Sequence, residues 1–459
     1  KGKRKLPKSH FPSSFQSNPL TPIEEFNQIV IRSRNPGPLP YPSVNLKLLS
    51  ILAAILWALP SEGSDSSSLS TWRTLFMERV RSESISPNLT IRNLTLLSLS
   101  AHDALNLVEK RYQTYATHEP SRLTEWNKDW IVYGCGWQLG TRLHPANQGK
   151  FDQISSAGLR EDADPVVRNS FLFGARVARA YLEGRKADGS TTTITYFPRT
   201  APGQWRRTPS FFKPPEQPHW RKVKPFGIPD LKPFLPPPPP AHDSPEFVQA
   251  LREVKEIGGK NSRLRTAEQT FLAKFWKDFS YTQTPPGHWN DIADFAARAQ
   301  EMDLHDEARL FALLNLSLAD AGIVAWECKY RHHVWRPVHA IRLAKQFPAT
   351  AKLAQADWEP LIETPAHPEY VSAHSCFSGA ASQVLTHVLG SDSFPFLVRS
   401  DQSPGQRRKF DRFSDCLKEI GESRVHGGIH YRFSNERGIE AGKKIGAFIC
   451  NNMIKSLTD

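Results

Sequence analysis

The chain of 459 residues is poor in the side chains that staple or metallate small folds, with only five cysteines. Cys135, Cys328, Cys376, Cys416 and Cys450 are scattered, without a CxxC pair or a Cys/His run at zinc spacing, which excludes the usual structural zinc motifs. Their odd count argues against a disulfide framework and leaves room for one bridge in an oxidising compartment. No stretch reaches the roughly 18 continuous apolar residues of a membrane span, so a multi-span membrane protein is excluded. No segment alternates convincingly at period two, and no repeat of about 20–50 residues recurs, which sets aside sheet-rich and solenoid folds.

What the chain has is positive charge. Its 59 Lys and Arg against 46 Asp and Glu give +13, a balance that favours anionic partners. Much of it is solvated surface, and Lys1, Lys3, Arg4, Lys5 and Lys8 crowd into a Pro- and Ser-rich leader. No recognised nucleic-acid motif accompanies the charge, so no nucleic-acid partner is expected. Residues 48–59 (LLSILAAILWAL) form an apolar run of 12 after Lys47 and before Pro60, Ser61 and Gly63. That pattern suits the core of a secretory signal and predicts a secreted or lumenal protein, or one anchored through 48–59.

From Ser70 the apolar period becomes helical. Trp72, Leu75, Phe76 and Val80, then Ile91, Leu94, Leu97, Ala101, Leu105 and Val108, fall mostly three or four apart. The same period runs through 130–143, 164–186, 245–279, 291–343, 378–389, 410–422 and 436–454. Two glycosylation sequons, Asn88-Leu-Thr90 and Asn93-Leu-Thr95, fall inside this helical pattern, which argues against their use. Between 193 and 244 prolines break the pattern and end in five in a row, Pro236 to Pro240. The run reads as a stiff surface connection, and Trp205, Phe211, Phe212, Trp220 and Phe226 as the residues that pack this segment on the body. The expected organisation is a leader over 1–69 and an all-α domain over 70–459 made of two packed helix bundles with long Pro-rich irregular insertions. Within it, 70–192 supplies N-terminal helices, 193–244 a covering loop, and 245–459 the helices that carry the chemistry.

That chemistry sits in three clusters, Lys329–Pro337 (KYRHHVWRP), Pro368–Ser375 (PEYVSAHS) and Ser423–His430 (SRVHGGIH). A tetrahedral oxyanion such as phosphate or vanadate is well solvated by water, and a protein that removes it must return charge and hydrogen bonds. Lys329 offers a point charge, and Arg336 and Arg424 offer planar forks. Lys329 and Arg336 are seven apart, two turns if the segment stays helical. Ser372 adds a hydroxyl, and the amide of Ala373 lies where the next helix begins. His430 follows Gly427-Gly428 and can act as a nucleophile or ligand. His374 is placed for acid-base work.

The triple pattern K-x6-RP, PSGH and SR-x5-H resembles the signature of vanadium-dependent haloperoxidases and the type-2 phosphatidic-acid phosphatase superfamily. The likeness is to the soluble haloperoxidase branch, through residues 318–342, 364–385 and 423–438, with weaker echoes at 86–106, 202–209, 265–276 and 284–293. It covers roughly 70–455. It implies one vanadate per chain, with His430 as axial ligand and Lys329, Arg336, Arg424, Ser372 and the Ala373 amide holding its oxygens. His374 is implied as the acid-base residue, Lys329 as the cation that polarises hydrogen peroxide, and a halide ion, then a small organic acceptor, as the other partners; a homo-oligomer is allowed. Trp326 matches an aromatic beside the halide pocket. His367 stands where similar chloride-oxidising enzymes carry Phe and bromide-oxidising ones carry His, which favours bromide or iodide. Val371 and Ala373 replace the usual Pro and Gly, and a Gly-only φ at 373 would be strained. The alternatives are a soluble acid phosphatase that forms phosphohistidine at His430, and a non-catalytic anion-binding relative.

Overall fold

The computed structural model describes residues 66–457; the leader, the apolar segment 48–59 and the last two residues lie outside the described residues. The chain folds as helices: α1 (Ser68–Ser82), α2 (Pro87–Val108), α3 (Lys128–Leu143), α4 (Gln148–Ile154), α5 (Ser156–Leu159), α6 (Pro165–Gly184), α7 (Pro245–Gly258), α8 (Ala267–Phe275), α9 (Thr284–Ala299), α10 (Leu304–His332) and α11 (Pro337–Arg342), followed by α12 (Ala373–Leu389), α13 (Phe413–His426) and α14 (Arg432–Asn452). A hairpin of β1 (Ser393–Arg399) and β2 (Arg407–Arg412) interrupts them.

α10 organises the packing. Asp303 caps its start by accepting from the amides of His305 and Asp306, both at 3.0 Å, and Asp306 and Glu307 in the first turn suit the positive end of the helix dipole. Its apolar window meets the length and composition of a membrane span, but 94% of that window is buried in the fold, as befits a core helix. α2, α3 and α6 pack together, with α1 against α2 and α3, as one bundle. α12, α13 and α14 pack as the second, and α10 packs on α2, α12 and α14 and so joins the two. The expected all-α, two-bundle fold is the observed one. α12 and α14 cross at backbone distance, because a Cβ at Gly442 would overlap the Cys376 carbonyl and one at Gly379 that of Ile439.

Where sequence and structure differ, local chemistry explains it. The helical reading of 245–279 breaks after Gly258 and restarts at a capping box in which Thr266 and Gln269 satisfy each other. The reading of 291–343 is cut at 300–303 and 333–336. The period assigned from Phe410 hides β2, because the hairpin turns only Phe396, Val398 and Phe410 firmly inward and β2 carries charge at every other position. In the Pro-rich segment Trp205, Trp220 and Phe226 are buried, whereas Phe211 (67% exposed) and Phe212 (55%) are not. The carbonyls of Pro237 and Pro238 accept from the Tyr370 hydroxyl and, at 2.6 Å, from Arg437, so the proline run is clamped to the second bundle. All five cysteines are free and buried, and the one bridge left open does not form. Both sequons lie within α2, and the buried Asn88 donates to Gln217 at 3.1 Å.

Candidate anion site

Four elements converge on one point, and each is aimed by a local break in regular structure. α10 ends one turn beyond Lys329, where His333 takes a left-handed φ of 54° and returns its amide to the Lys329 carbonyl. The helix does not continue to Arg336, so the condition on the two-turn spacing is not met. The chain reverses, and Arg336 becomes the residue before Pro337, at the start of α11. Pro337 enforces this, since it disfavours helical backbone at the residue before it. The loop 364–372 contributes His367 and Glu369, then caps α12 with Ser372, whose hydroxyl oxygen accepts from the Ser375 amide (3.4 Å) and hydroxyl (3.1 Å). Ala373 is an ordinary first residue of α12 and is absent from the left-handed positions, so the strain expected of a non-glycine residue there does not arise. Arg424 sits in the last turn of α13. Gly428 then takes φ +77°, where a Cβ would overlap the Gly258 carbonyl, and the turn presents His430.

Lys329, Arg336 and Arg424 are all fully buried. Their donors are engaged by neutral groups. Lys329 points its ammonium at the carbonyls of Pro368, Glu369 and Val371 (2.5–3.2 Å). Arg336 donates to the carbonyls of His367 (3.0 Å) and Ile429 (2.8 Å) and to ring nitrogens of His430 (3.1 Å) and His367 (3.0 Å). Arg424 donates to Ser423 Oγ (3.0 Å), to the Trp276 carbonyl and to His374 Nε2 (3.3 Å). Among the described residues none of the three cations lies within the 4.0 Å of an ion pair with any carboxylate.

Guanidinium can only donate, so each imidazole nitrogen that faces an arginine must accept. His430 therefore carries its proton on Nδ1, which lies 2.7 Å from Glu369 Oε1. His374 likewise accepts at Nε2, and Asp278 Oδ2 stands 3.9 Å from that atom, beyond hydrogen-bond reach. Asp278 instead faces His288 Nδ1 at 3.0 Å. Burial, then the charge of Arg336, holds Lys329 well below its ordinary value, and burial pulls Arg336 and Arg424 down to about 10. Burial and the same cations keep His430, His374 and His367 well below the usual imidazole range, so these rings are neutral acceptors near pH 7. Burial pushes Glu369 up to about 7 against the pull of Arg336 and Lys329.

A cavity of about 70 Å³ opens beside these groups, lined by Trp326, His367, Ala373, His374 and His430 together with Glu216, Asp278, Phe279 and Ile429. On that measure one water needs about 10–15 Å³, so the space holds several small groups or one ion. The Trp326 and His367 rings pack 5.1 Å apart in its wall. Lys329, Arg336, Ser372 and Arg424 lie outside its lining. Sequence reasoning overlooked Glu369, Asp278 and Glu216. Glu369 stood in plain view three residues before Ser372, an acid in an otherwise apolar loop. Asp278 and Glu216 carry no local pattern and reach the cavity only through the fold.

Residues 309–459 match the sequence profile of the VCPO second helical-bundle domain. The vanadium chloroperoxidase of Curvularia inaequalis is 28% identical over 165 residues, which is 32% of this chain and 27% of that protein. Among solved structures, the crystal structure of the first bacterial vanadium-dependent iodoperoxidase aligns with a TM-score of 0.74 at 28% identity, over 87% of this chain and 99% of that one. A holo-type bacterial vanadium-dependent chloroperoxidase aligns at 0.66 and 18% identity, over 80% and 92%, a likeness of fold alone.

Proposed function

The chain belongs to the vanadium-dependent haloperoxidase family, and from that premise we propose that it binds one orthovanadate and uses hydrogen peroxide to oxidise bromide or iodide to hypohalous acid. The observation that carries the reading is the set of three buried cations with no carboxylate in ion-pair range. Uncompensated buried charge is costly, and a multiply charged oxyanion offsets it. The donor set suits such an ion: Arg forks, an ammonium, the Ser372 hydroxyl, the first amide of α12 and one imidazole whose Nε2 lone pair accepts only from Arg336, a bond the ion would displace. Among the described residues no group of three or more His, Cys, Asp or Glu suits a bare metal ion.

When bound, vanadate supplies Lewis-acid activation of peroxide without a change of oxidation state. Lys329, Arg336 and Arg424 would hold its oxygens, and His430 Nε2 would be the nitrogen offered to it. His374 lines the cavity as a neutral acceptor and would take up the proton that peroxide gives up. Trp326 and His367 line the side on which a halide approaches. His367 and the iodoperoxidase name of a structurally similar protein support the softer halides. A secreted or lumenal location, read from residues 48–59, belongs to the same proposal.

The test is titration of purified protein with vanadate in the presence of peroxide, bromide or iodide and a phenolic dye. Halogenation that saturates at one vanadate per chain and disappears in His430→Ala supports the proposal. Hydrolysis of phosphate monoesters through phosphohistidine at His430, without halogenation, makes the chain a phosphatase. Binding of neither ion by an intact helical fold makes it a non-catalytic relative.

A further inference from the structure

We propose that Glu369 is the positioning residue of His430: it holds Nδ1 as the protonated nitrogen and so leaves the Nε2 lone pair facing the oxyanion. The inference rests on the vanadate reading of the pocket, yet its geometric core concerns the ligand-free protein. Neutral imidazole has two tautomers, and the partner of one nitrogen fixes the state of the other. Here two partners fix the same one. Arg336 NH1 can only donate toward Nε2, and the Glu369 carboxylate accepts at 2.7 Å from Nδ1. Glu369 Oε1 also accepts the Tyr431 amide at 3.1 Å, so the carboxylate is fixed to the same turn that carries His430. With two donors on Oε1, that oxygen stays an acceptor even if a proton resides on Oε2.

The backbone of Glu369 is held as firmly as its side chain. Its carbonyl accepts from Lys329 Nζ at 3.1 Å and its amide donates to the Val334 carbonyl at 2.9 Å, in a position with no solvent exposure. The carboxyl group thus stands behind the ring at Nδ1, on the other ring nitrogen from the one that faces Arg336. A carboxylate behind Nδ1–H raises the donor strength of Nε2, the arrangement common to metal-bound histidines. Among the described residues no carboxylate backs His374 in this way, and its neighbour Asp278 lies beyond hydrogen-bond reach and serves His288.

Glu369→Gln and Glu369→Ala separate geometry from charge. The Gln carbonyl oxygen still accepts from Nδ1 and from the Tyr431 amide, whereas Ala offers nothing. Long-range ¹H–¹⁵N NMR of ligand-free, histidine-labelled protein reads the tautomer, with His430→Ala identifying the signals. The unaltered protein and Glu369→Gln are expected to show Nδ1–H with a bare Nε2, and Glu369→Ala a mixture of tautomers. Calorimetric titration with orthovanadate and with inorganic phosphate is expected to weaken in both variants, by roughly 10–100-fold for Ala and less for Gln. A folded Glu369→Ala that keeps a single Nδ1–H tautomer and binds within about twofold of the unaltered protein overturns the proposal. Should Glu369→Ala fail to fold, unchanged affinity in Glu369→Gln overturns the charge half of it. If the unaltered protein binds neither ion, the vanadate reading falls and the NMR comparison alone decides Glu369.

Discussion

The two halves of the site share one plan and differ in how tightly it is executed. Around Arg336, an arginine faces an imidazole that is hydrogen-bonded behind to a carboxylate, His430 to Glu369 at 2.7 Å. Around Arg424, the corresponding imidazole, His374, has its nearest carboxylate 3.9 Å away and on the same nitrogen that faces the arginine. His374 also keeps more solvent exposure than His430. A locked ring suits a lone pair that must always point one way. A ring without a carboxylate lock suits one that must take up and release protons, because a strong fixed partner would hold it in one state. On the proposed function, the tight half is the binding half and the loose half the kinetic one.

The sharpest contrast comes from paired substitutions. His430→Ala should abolish vanadate binding together with turnover, whereas His374→Ala should lower turnover by roughly 10²–10⁴-fold and leave vanadate affinity within a few-fold. Calorimetry beside halogenation kinetics reads the split, and equal losses of affinity in both variants would erase the distinction. Next in size is the anion itself. Orthovanadate or phosphate at about 100 times its Kd should raise the unfolding free energy by about 2.7 kcal/mol, since it binds only the folded state. Arg336→Ala and Arg424→Ala should each remove that stabilisation in thermal melts, because both forks relieve their uncompensated charge through the same ligand.

A smaller effect concerns the hinge of the tight half. Burial, followed by the charges of Arg199 and Arg221, lowers His333 to about 4, and the Tyr196 hydroxyl lies 2.7 Å from its Nδ1. The unfolded chain takes up this proton near pH 6.5 and the folded one only near pH 4, so the unfolded state binds more protons between them. The contribution is complete above about pH 6.5 and is lost as pH falls through that window, on the order of 1–2 kcal/mol after solvent screening. His333→Asn, which tolerates the left-handed backbone, should flatten this part of the stability profile in denaturant titrations. Smallest is Ala373→Gly. With Ala373 in an ordinary helical position, the change should cost about 0.5–1 kcal/mol and bring no gain in turnover. A rise in activity would mean that the methyl group does obstruct the oxyanion.

Much of this was legible beforehand because it is written in local order. Helical period fixed the class of fold, and the three clusters supplied Lys329, Arg336, Arg424, His374 and His430, most of them close to a turn residue: Pro337, the Ser372 cap or Gly428. On the path from Lys329 to Arg336 the proline signals a limit to the helix, but its end at His333 is not readable, because a left-handed residue stops it where neither Gly nor Asn announces it. The hairpin was missed because so few of its residues turn inward. Asp278 and Glu216 were beyond reach for another reason: their contribution depends on tertiary placement, Glu216 in the middle of a proline-rich loop and Asp278 just past a short helix. Glu369 was readable in position but not in role, because nothing in a sequence says that a carboxylate will stand behind a ring 61 residues away.

The proline run offers a practical lesson for anyone reshaping this protein. Its carbonyls hold Tyr370, the neighbour of Glu369, and Arg437, within the helix that follows His430. Residues 236–240 resemble a disposable spacer, the natural place to trim or to splice in a flexible tag. Glycine-rich replacement would instead free a strap that spans two segments of the second bundle, and the damage would surface far from the cut.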